Sequence, residues 1–249
     1  MPIEARPAIA ALRTALEQDR PRVIGLYLVG SLALGDFVPG SSDIDFVAIL
    51  ASGEDLDRLP HLHRHLADTI PRTHIDGIYL RREDLSRPPG GAGPVAHEGV
   101  LRLASTAERP PVTWLTLRRH GVVVYGESPS ALGIWGDVAA ASAYSRQNLT
   151  DYWLPWLSRR RLGGVDLDGA AVSWACLGLS RLHAMISTGA IVSKTGGGLH
   201  ALRSFPEQRA ILLEALQLRR GEGSTWAERQ RRVEAVANFM EELIDSVSG

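Results

Sequence analysis

Cysteine and lysine are nearly missing from this sequence of 249 residues, which contains one of each, Cys176 and Lys194. A single cysteine excludes an internal disulfide and a zinc site built from several cysteines. The other basic side chains are 26 arginines, and with 28 acidic residues the formal net charge is −1. Because proteins that coat nucleic acids usually carry a marked basic excess, we expect no nucleic-acid partner.

Long apolar runs are also missing. No uninterrupted apolar stretch approaches the roughly 20 residues that a membrane-crossing helix needs. The first residues, MPIEARPAIAALRTALEQDR, alternate charged residues with Ala and Leu, where a signal peptide has a continuous apolar block. With 45% hydrophobic and 22% charged residues, the composition is that of a globular protein. We therefore expect a cytoplasmic protein with no membrane partner.

The two halves of the sequence differ in pattern. In the first half, short apolar and β-branched segments bounded by Gly, Pro, Ser and Asp predict strands at residues 23–29, 44–50, 74–80 and 121–125. Leucines at helical spacing predict a helix over residues 54–70, although Pro60 falls in its first turns. Residues 86–94, SRPPGGAGP, are rich in breakers and predict a loop.

The second half has no comparable strand pattern. Its apolar periodicity predicts helices at residues 142–161, 169–188, 206–220 and 225–247. The expected fold is an α/β N-terminal domain with a small mixed sheet over residues 1–140, followed by an all-α helical bundle over residues 141–249.

The segment 25–50, GLYLVGSLALGDFVPGSSDIDFVAIL, carries the most informative pattern of the sequence. Alternate residues of a strand point to the same face, so Asp43 and Asp45 present two carboxylates side by side while Ile44 points to the core. Two such carboxylates repel each other unless a cation lies between them. Mg²⁺ suits this position because it prefers one or two carboxylates together with substrate phosphates.

Three further residues extend this predicted site. Gly30 allows close approach of a backbone, and Ser31 offers an N–H and a hydroxyl to a phosphate. Asp76 interrupts the apolar alternation of its strand, and if that strand lies beside residues 44–50, it adds a third carboxylate. Asp76 could bind the metal or accept the proton of an attacking hydroxyl.

Each of these features has a simpler explanation when taken alone. A Gly-Ser pair often follows a strand, an Asp-x-Asp motif can be a solvated turn, and Asp76 could be a surface acid of an edge strand. The conjunction of Gly-Ser, Asp-Ile-Asp and a further acid on successive predicted strands is less easily explained, and it favours a functional site.

The motif resembles the nucleotidyltransferase superfamily that includes DNA polymerase beta, whose members have a strand, Gly-Gly or Gly-Ser, a spacer and Asp-x-Asp. The chain is similar, more narrowly, to bacterial aminoglycoside adenylyltransferases that modify streptomycin and spectinomycin. Residues 179–195, LSRLHAMISTGAIVSKT, resemble a stretch of the helical domain of those enzymes. The resemblance implies that Arg181 and Lys194 contact ATP, in a cleft that the helical domain closes. Lysine is a compact phosphate-binding charge, so the only lysine of the chain has the chemistry that this position requires.

The resemblance implies an ATP- and Mg²⁺-dependent O-adenylyltransferase of the antibiotic-resistance type. Asp43 and Asp45 would hold one or two Mg²⁺ ions, and an acceptor hydroxyl activated by Asp76 would attack the α-phosphorus. The triphosphate would be held by Ser31, Ser42, Arg181 and Lys194.

Two departures from those enzymes concern the acceptor. Their base is a Glu, whereas this chain has the shorter Asp76, and their aminoglycoside-contacting acid matches Ala171 here. The acceptor could therefore be streptomycin or spectinomycin, a protein hydroxyl, or another metabolite. A catalytically silent nucleotide-binding module is a further alternative, although the intact Asp43 and Asp45 argue against it.

Overall fold

The first half of the chain forms a six-stranded mixed sheet in the computed structural model. Its strands are β1 (Val23–Leu28), β2 (Ile44–Leu50), β3 (Ile75–Arg81), β4 (Gly93–His97), β5 (Val100–Ser105) and β6 (Val122–Tyr125). The order across the sheet is β5-β4-β3-β2-β1-β6. β2 and β3 run parallel, and the other neighbouring strands are antiparallel.

The structure describes residues 1–18, 22–51, 56–70, 74–163, 167–224, 226 and 229–247. The chain divides into two units, Met1–Asp137 and Val138–Gly249. No helix in the described ranges is long and apolar enough to cross a membrane.

Helices cover both faces of the sheet in the first unit. Its helices are α1 (Arg6–Gln18), α2 (Gly30–Ala33), α3 (Leu59–Thr69), α4 (Arg82–Leu85) and α5 (Pro111–His120). Alternate β2 residues, such as Ile44 and Phe46, pack in one core with leucines of α1 and α3. The residues between them, such as Val47, pack in a second core with Trp114 of α5. Because both faces of β2 are covered, this strand is almost continuously apolar, and its one acid, Asp45, stands out.

The second unit is built from helices around one apolar core. They are α6 (Val138–Asn148), α7 (Leu154–Gly163), α8 (Gly169–Thr188), α9 (Lys194–Ser204), α10 (Arg209–Arg219) and α11 (Arg229–Val247), with a π-helical turn, Leu149–Trp153, between α6 and α7. The long helix α8 contributes many of the buried residues and packs against α6, α9, α10 and α11.

The predicted fold class is confirmed, and several element boundaries are as predicted. Strand 44–50 and helix 169–188 have the predicted limits. The predicted helix 54–70 begins only at Leu59, since Pro60 stands in its first turn; residues 54 and 55 lie outside the described residues. In the predicted helix 225–247, described helical structure begins at Arg229, while residues 225, 227 and 228 lie outside the described part of the chain.

The elements that were not predicted include α1, α4, α5, α9, β4 and β5. Pro94 lies inside β4, and the preceding glycines and prolines predict a loop rather than a strand. The helix α9 contains three consecutive glycines, which lower its intrinsic helix propensity.

Candidate active site

Asp43 and Asp45 flank a fully buried residue at the start of β2. Ile44 is 0% exposed, and its N–H donates to the carbonyl of His74 at 2.9 Å. Asp43 is exposed and Asp45 is half-buried. Because side chains alternate along a strand, the two carboxylates lie on the face opposite Ile44, at the edge of the core that contains Trp114.

Gly30 gives the Asp45 carboxylate its position. The chain leaves β1 at Val29, whose N–H donates to the carbonyl of Asp45 at 3.0 Å. Gly30 follows with φ +58, in the left-handed region, and a Cβ on it would lie 1.9 Å from Oδ2 of Asp45. Position 30 therefore requires glycine for two reasons, its backbone conformation and the close approach of the carboxylate.

Ser31 and Ser42 have different surroundings. The Ser31 hydroxyl oxygen is buried, and it has no hydrogen-bond partner among the residues that the structure describes. A buried hydroxyl without a partner, next to Gly30, fits a phosphate-binding position. The Ser42 hydroxyl accepts the N–H of Val38 at 3.0 Å and so stabilises the loop before β2. A cavity of about 220 Å³ borders this loop and is lined in part by Ser42 and Asp43.

Asp76 lies beside Asp45 in the parallel register of β2 and β3. It is only 7% exposed. Its Oδ1 accepts the backbone N–H of Glu98 at 3.0 Å, and its Oδ2 lies 3.0 Å from Nδ1 of His97. Burial raises the pKa of Asp76, and the charge of Asp43 raises it further, while His97 and the Glu98 N–H oppose that change. The net effect makes this carboxylate a better proton acceptor than an ordinary Asp.

The fit to a divalent cation rests on two carboxylates. The described residues contain no group of three or more His, Cys, Asp or Glu side chains with the arrangement of a metal site. Mg²⁺, however, is commonly held by one or two carboxylates together with substrate phosphates. Asp43 and Asp45 can supply these two carboxylates. The cradle at Gly30 and the buried Ser31 hydroxyl fit such a metal-phosphate complex.

The second unit brings Arg181 and Lys194 to neighbouring helices. Arg181 lies in α8, and Lys194 is the first residue of α9, just after its N-cap Ser193. The two helices approach closely because α9 has glycine at the contact: a Cβ on Gly197 would lie 3.0 Å from Cγ of Arg181 and 3.1 Å from its backbone N. Both side chains are half-buried. A positive side chain at a helix N-terminus adds to the tendency of that end to bind anions.

Sequence reasoning missed His97 and Glu98 as part of this site. They lie at the tip of the β4–β5 hairpin, where His97 pairs with Val100 and the two-residue turn is Glu98-Gly99. The available signal was the run of apolar residues on either side of a turn that ends in Gly, but the breakers before it favoured a long loop.

Comparison with known families identifies a domain in each half of the chain. The model described as "Nucleotidyltransferase domain" matches residues 9–85. The model described as "Aminoglycoside adenylyltransferase, C-terminal domain" matches residues 167–242. No curated protein sequence is a significant match.

Two solved structures are similar to this chain to different extents. The spectinomycin adenyltransferase AAD(9) from Enterococcus faecialis, solved with ATP and spectinomycin, matches with a TM-score of 0.72 and 15% identity over 96% of this chain and 98% of that one. A toxin-antitoxin structure with AMP-PNP matches with a TM-score of 0.33 and 16% identity, over 58% of this chain and 93% of that one. The first match covers both units and shows a shared fold.

The resemblance inferred from the sequence motifs is confirmed in each half of the chain, by separate family models. The arrangement of a mixed sheet followed by a helical region is also that of AAD(9). The chain therefore contains a nucleotidyltransferase domain within residues 9–85 and an aminoglycoside adenylyltransferase C-terminal domain within residues 167–242, which identify an enzyme of the nucleotidyltransferase class.

Proposed function

We propose that this enzyme transfers AMP from ATP to a hydroxyl of an aminoglycoside, with streptomycin and spectinomycin as the first acceptors to test. The observation that carries the proposal is the Asp45 carboxylate, seated against Gly30 and in register with the buried Asp76. The similarity to a protein solved with ATP and spectinomycin supports this choice of substrates.

In the proposed reaction, the acceptor hydroxyl oxygen bonds to the α-phosphorus of ATP. The bond from that phosphorus to the oxygen bridging to the β-phosphorus breaks, and pyrophosphate leaves. Of the two roles predicted for Asp76, we assign it that of accepting the hydroxyl proton, because its pKa is raised and both of its oxygens are oriented by hydrogen bonds.

The phosphates would be held by residues of both units. Asp43 and Asp45 would hold Mg²⁺, which when bound neutralises phosphate charge and aligns the reacting groups. We propose that Ser31 and Ser42 contact the phosphates from the first unit, and that Arg181 and Lys194 contact them from the second. The helical unit would thereby close the nucleotide and acceptor site. Most of the catalysis in such a transfer is positioning and charge neutralisation.

The test is a pyrophosphate-release assay on the purified protein with MgATP and each aminoglycoside, with the product identified by mass spectrometry. We expect release only when an acceptor is present, and loss of release when the metal is chelated. Asp45→Asn should lower turnover about 100-fold or more, since it removes one of the two charges that would hold the metal. Asp68→Asn, at an exposed position of α3, is the matched control and should have no effect.

Two outcomes would contradict parts of this proposal. If no aminoglycoside supports release while another hydroxyl compound or a protein becomes adenylylated, the acceptor assignment is wrong and the transfer chemistry stands. If MgATP binds without turnover on any acceptor, the chain is a silent nucleotide-binding module.

A further inference from the structure

The tip of the β4–β5 hairpin, His97-Glu98-Gly99, has a conformation that few sequences adopt. Glu98 has φ 50 and Gly99 has φ 73. Two-residue hairpin loops of the type I′ class need positive φ at both positions, because their twist then matches the flanking strands. A residue other than glycine, asparagine or aspartate is unusual there, so the fold retains Glu98 in a strained backbone state.

This tip is aligned with Asp76 by the sheet register. β3 pairs with β4 at Gly77↔Ala96 and Ile78↔Val95. Continuing that antiparallel register places His97 directly opposite Asp76, and residues directly opposite in such a pair have neighbouring side chains on one face. The turn that follows then directs the Glu98 N–H at the same carboxylate, 3.0 Å from Oδ1.

The Asp76 carboxylate therefore has opposite kinds of neighbour on its two sides. On the β2 side are Asp45, in register with it, and the like charge of Asp43. On the β4 side are two donors, one for each oxygen: the Glu98 N–H and, at 3.0 Å from Oδ2, Nδ1 of His97. Repulsion from one side and hydrogen bonds from the other define the rotation of the carboxylate. The backbone donor is fixed by the turn, so the side chain that completes this arrangement is His97.

We propose that His97 is a positioning residue of this enzyme, which acts through Asp76 by holding its carboxylate in the orientation that accepts the acceptor proton. The inference rests on the proposed function. The His97 side chain is 42% exposed, so its removal leaves no cavity and should not unfold the protein. Its contribution is the N–H that Nδ1 donates to Oδ2 of Asp76, which preorganises a catalytic group.

The first test compares His97→Ala with His97→Asn in steady-state kinetics. The Asn amide can place an N–H close to the position of Nδ1, but it lacks the rest of the ring. We expect His97→Ala to lower kcat by about 10- to 100-fold with little change in the KM for ATP, since a misplaced group loses about that much. His97→Asn should recover most of the loss, and His65→Ala, at an exposed position of α3, should match the wild type.

Three kinetic results would overturn the proposal: His97→Ala within twofold of the wild type, a change in the KM for ATP alone, or His97→Asn as slow as His97→Ala. A second test asks whether His97 acts through Asp76. Adding His97→Ala to Asp76→Asn should cause no further loss, whereas multiplying losses would show independent roles.

A third test does not depend on activity, so it separates this proposal from the proposed function. Crystal structures of the wild type and of His97→Asn should have the Asp76 carboxylate in the same orientation, and in His97→Ala it should turn. If the wild type transfers AMP to no acceptor, the proposed function fails, while a turned carboxylate in His97→Ala still supports the positioning role. An unchanged carboxylate in His97→Ala would overturn it.

Discussion

At the scale of single residues, the position of the Asp45 carboxylate depends on a glycine. Gly30 and Gly35 both have left-handed backbones, with φ +58 and +66. Only Gly30 touches a carboxylate: among the described residues, nothing lies within 4 Å of a Cβ built at Gly35. The two glycines therefore separate the effect of backbone strain from the effect of contact with Asp45.

Gly30→Ala should inactivate the enzyme, because the new methyl group must displace the Asp45 carboxylate. We expect kcat/KM to fall about 100-fold or more. Gly35→Ala introduces the same left-handed strain as Gly30→Ala. It should therefore lower the free energy of unfolding by about 1–2 kcal/mol while keeping its activity. Chemical denaturation and the pyrophosphate assay measure the two effects, and equal activities of the two variants would contradict the role given to Gly30.

His63 should make the protein less stable in acid. Burial lowers its pKa from 6.5 to about 4, and its Nε2 lies 2.9 Å from the hydroxyl of Tyr79. Burial raises the pKa of Tyr79, so its neutral hydroxyl donates and His63 accepts. Below about pH 6.5 the unfolded chain binds a proton that the folded chain binds only near pH 4, so stability falls as the pH falls through this window.

The measurement is denaturant unfolding at pH 7.5 and pH 5 for the wild type and His63→Gln. The glutamine can accept the same hydrogen bond but does not titrate. Between pH 7.5 and pH 5, we expect the free energy of unfolding to fall by about 2 kcal/mol less in His63→Gln than in the wild type. His183, whose pKa burial also lowers to about 4, should keep its own share of the acid sensitivity. An identical pH dependence in both proteins would exclude His63 as a cause.

At the scale of elements, local patterns predict the site better than they predict its surroundings. The segment from β1 to β2 was predicted because the Gly-Ser and Asp-Ile-Asp motifs are contiguous and their strands are strongly apolar. The hairpin that carries His97 was not predicted. Proline and glycine before β4 indicate a loop, and the contact of the hairpin with Asp76 joins residues that are far apart in the sequence. Pairing of this kind is decided by tertiary structure rather than by local propensity.

The helix α9 was concealed for a different reason: its glycines are poor helix formers, but they are needed for packing. A Cβ on Gly198 would lie 2.8 Å from side-chain carbons of Leu177 and Leu216. Close packing of α9 against α8 thus outweighs helix propensity. The neighbouring Gly196 has only an ordinary contact, 3.4 Å to the Ser193 hydroxyl, and it serves as a control.

Gly197→Ala should weaken ATP binding without removing any candidate ligand. Its methyl group would press on the backbone N and Cγ of Arg181 and push α9, with Lys194, away from α8. We expect the KM for ATP to rise about tenfold. Gly196→Ala should leave the KM unchanged and stabilise the helix by about 0.5–1 kcal/mol. If both variants bind ATP as the wild type does, the α8–α9 contact does not position these residues.

At the scale of the whole molecule, the chain has two units with separate apolar cores. The family models and the shared fold account for both units. The proposed function requires that one ATP contact residues of each. The strands that carry Asp45 and Asp76 were predicted from local patterns, whereas no local pattern specifies the proposed cooperation of Asp45 with Lys194.

Thermal shift by MgATP tests this cooperation. A ligand at 100 times its Kd stabilises a protein by about 2.7 kcal/mol, and a tenfold weaker Kd reduces this to about 1.4 kcal/mol. Asp45→Asn and Lys194→Ala should each lower the stabilisation by MgATP from about 2.7 to about 1.4 kcal/mol. Arg203→Ala, which removes an exposed charge from the other end of α9, should not. A full shift in Lys194→Ala would show that the second unit does not contribute this side chain to ATP.

The lone lysine makes this question accessible to chemical labelling. Lys194 is half-buried at the start of α9, and its ε-amine is the only side-chain amine in the chain. An amine-directed reagent can therefore react at one side chain, apart from the terminal amine, and intact-mass spectrometry would count that event directly. Bound ATP should slow the labelling if its phosphates contact this amine, so the protein carries a built-in reporter of nucleotide occupancy that needs no engineered tag.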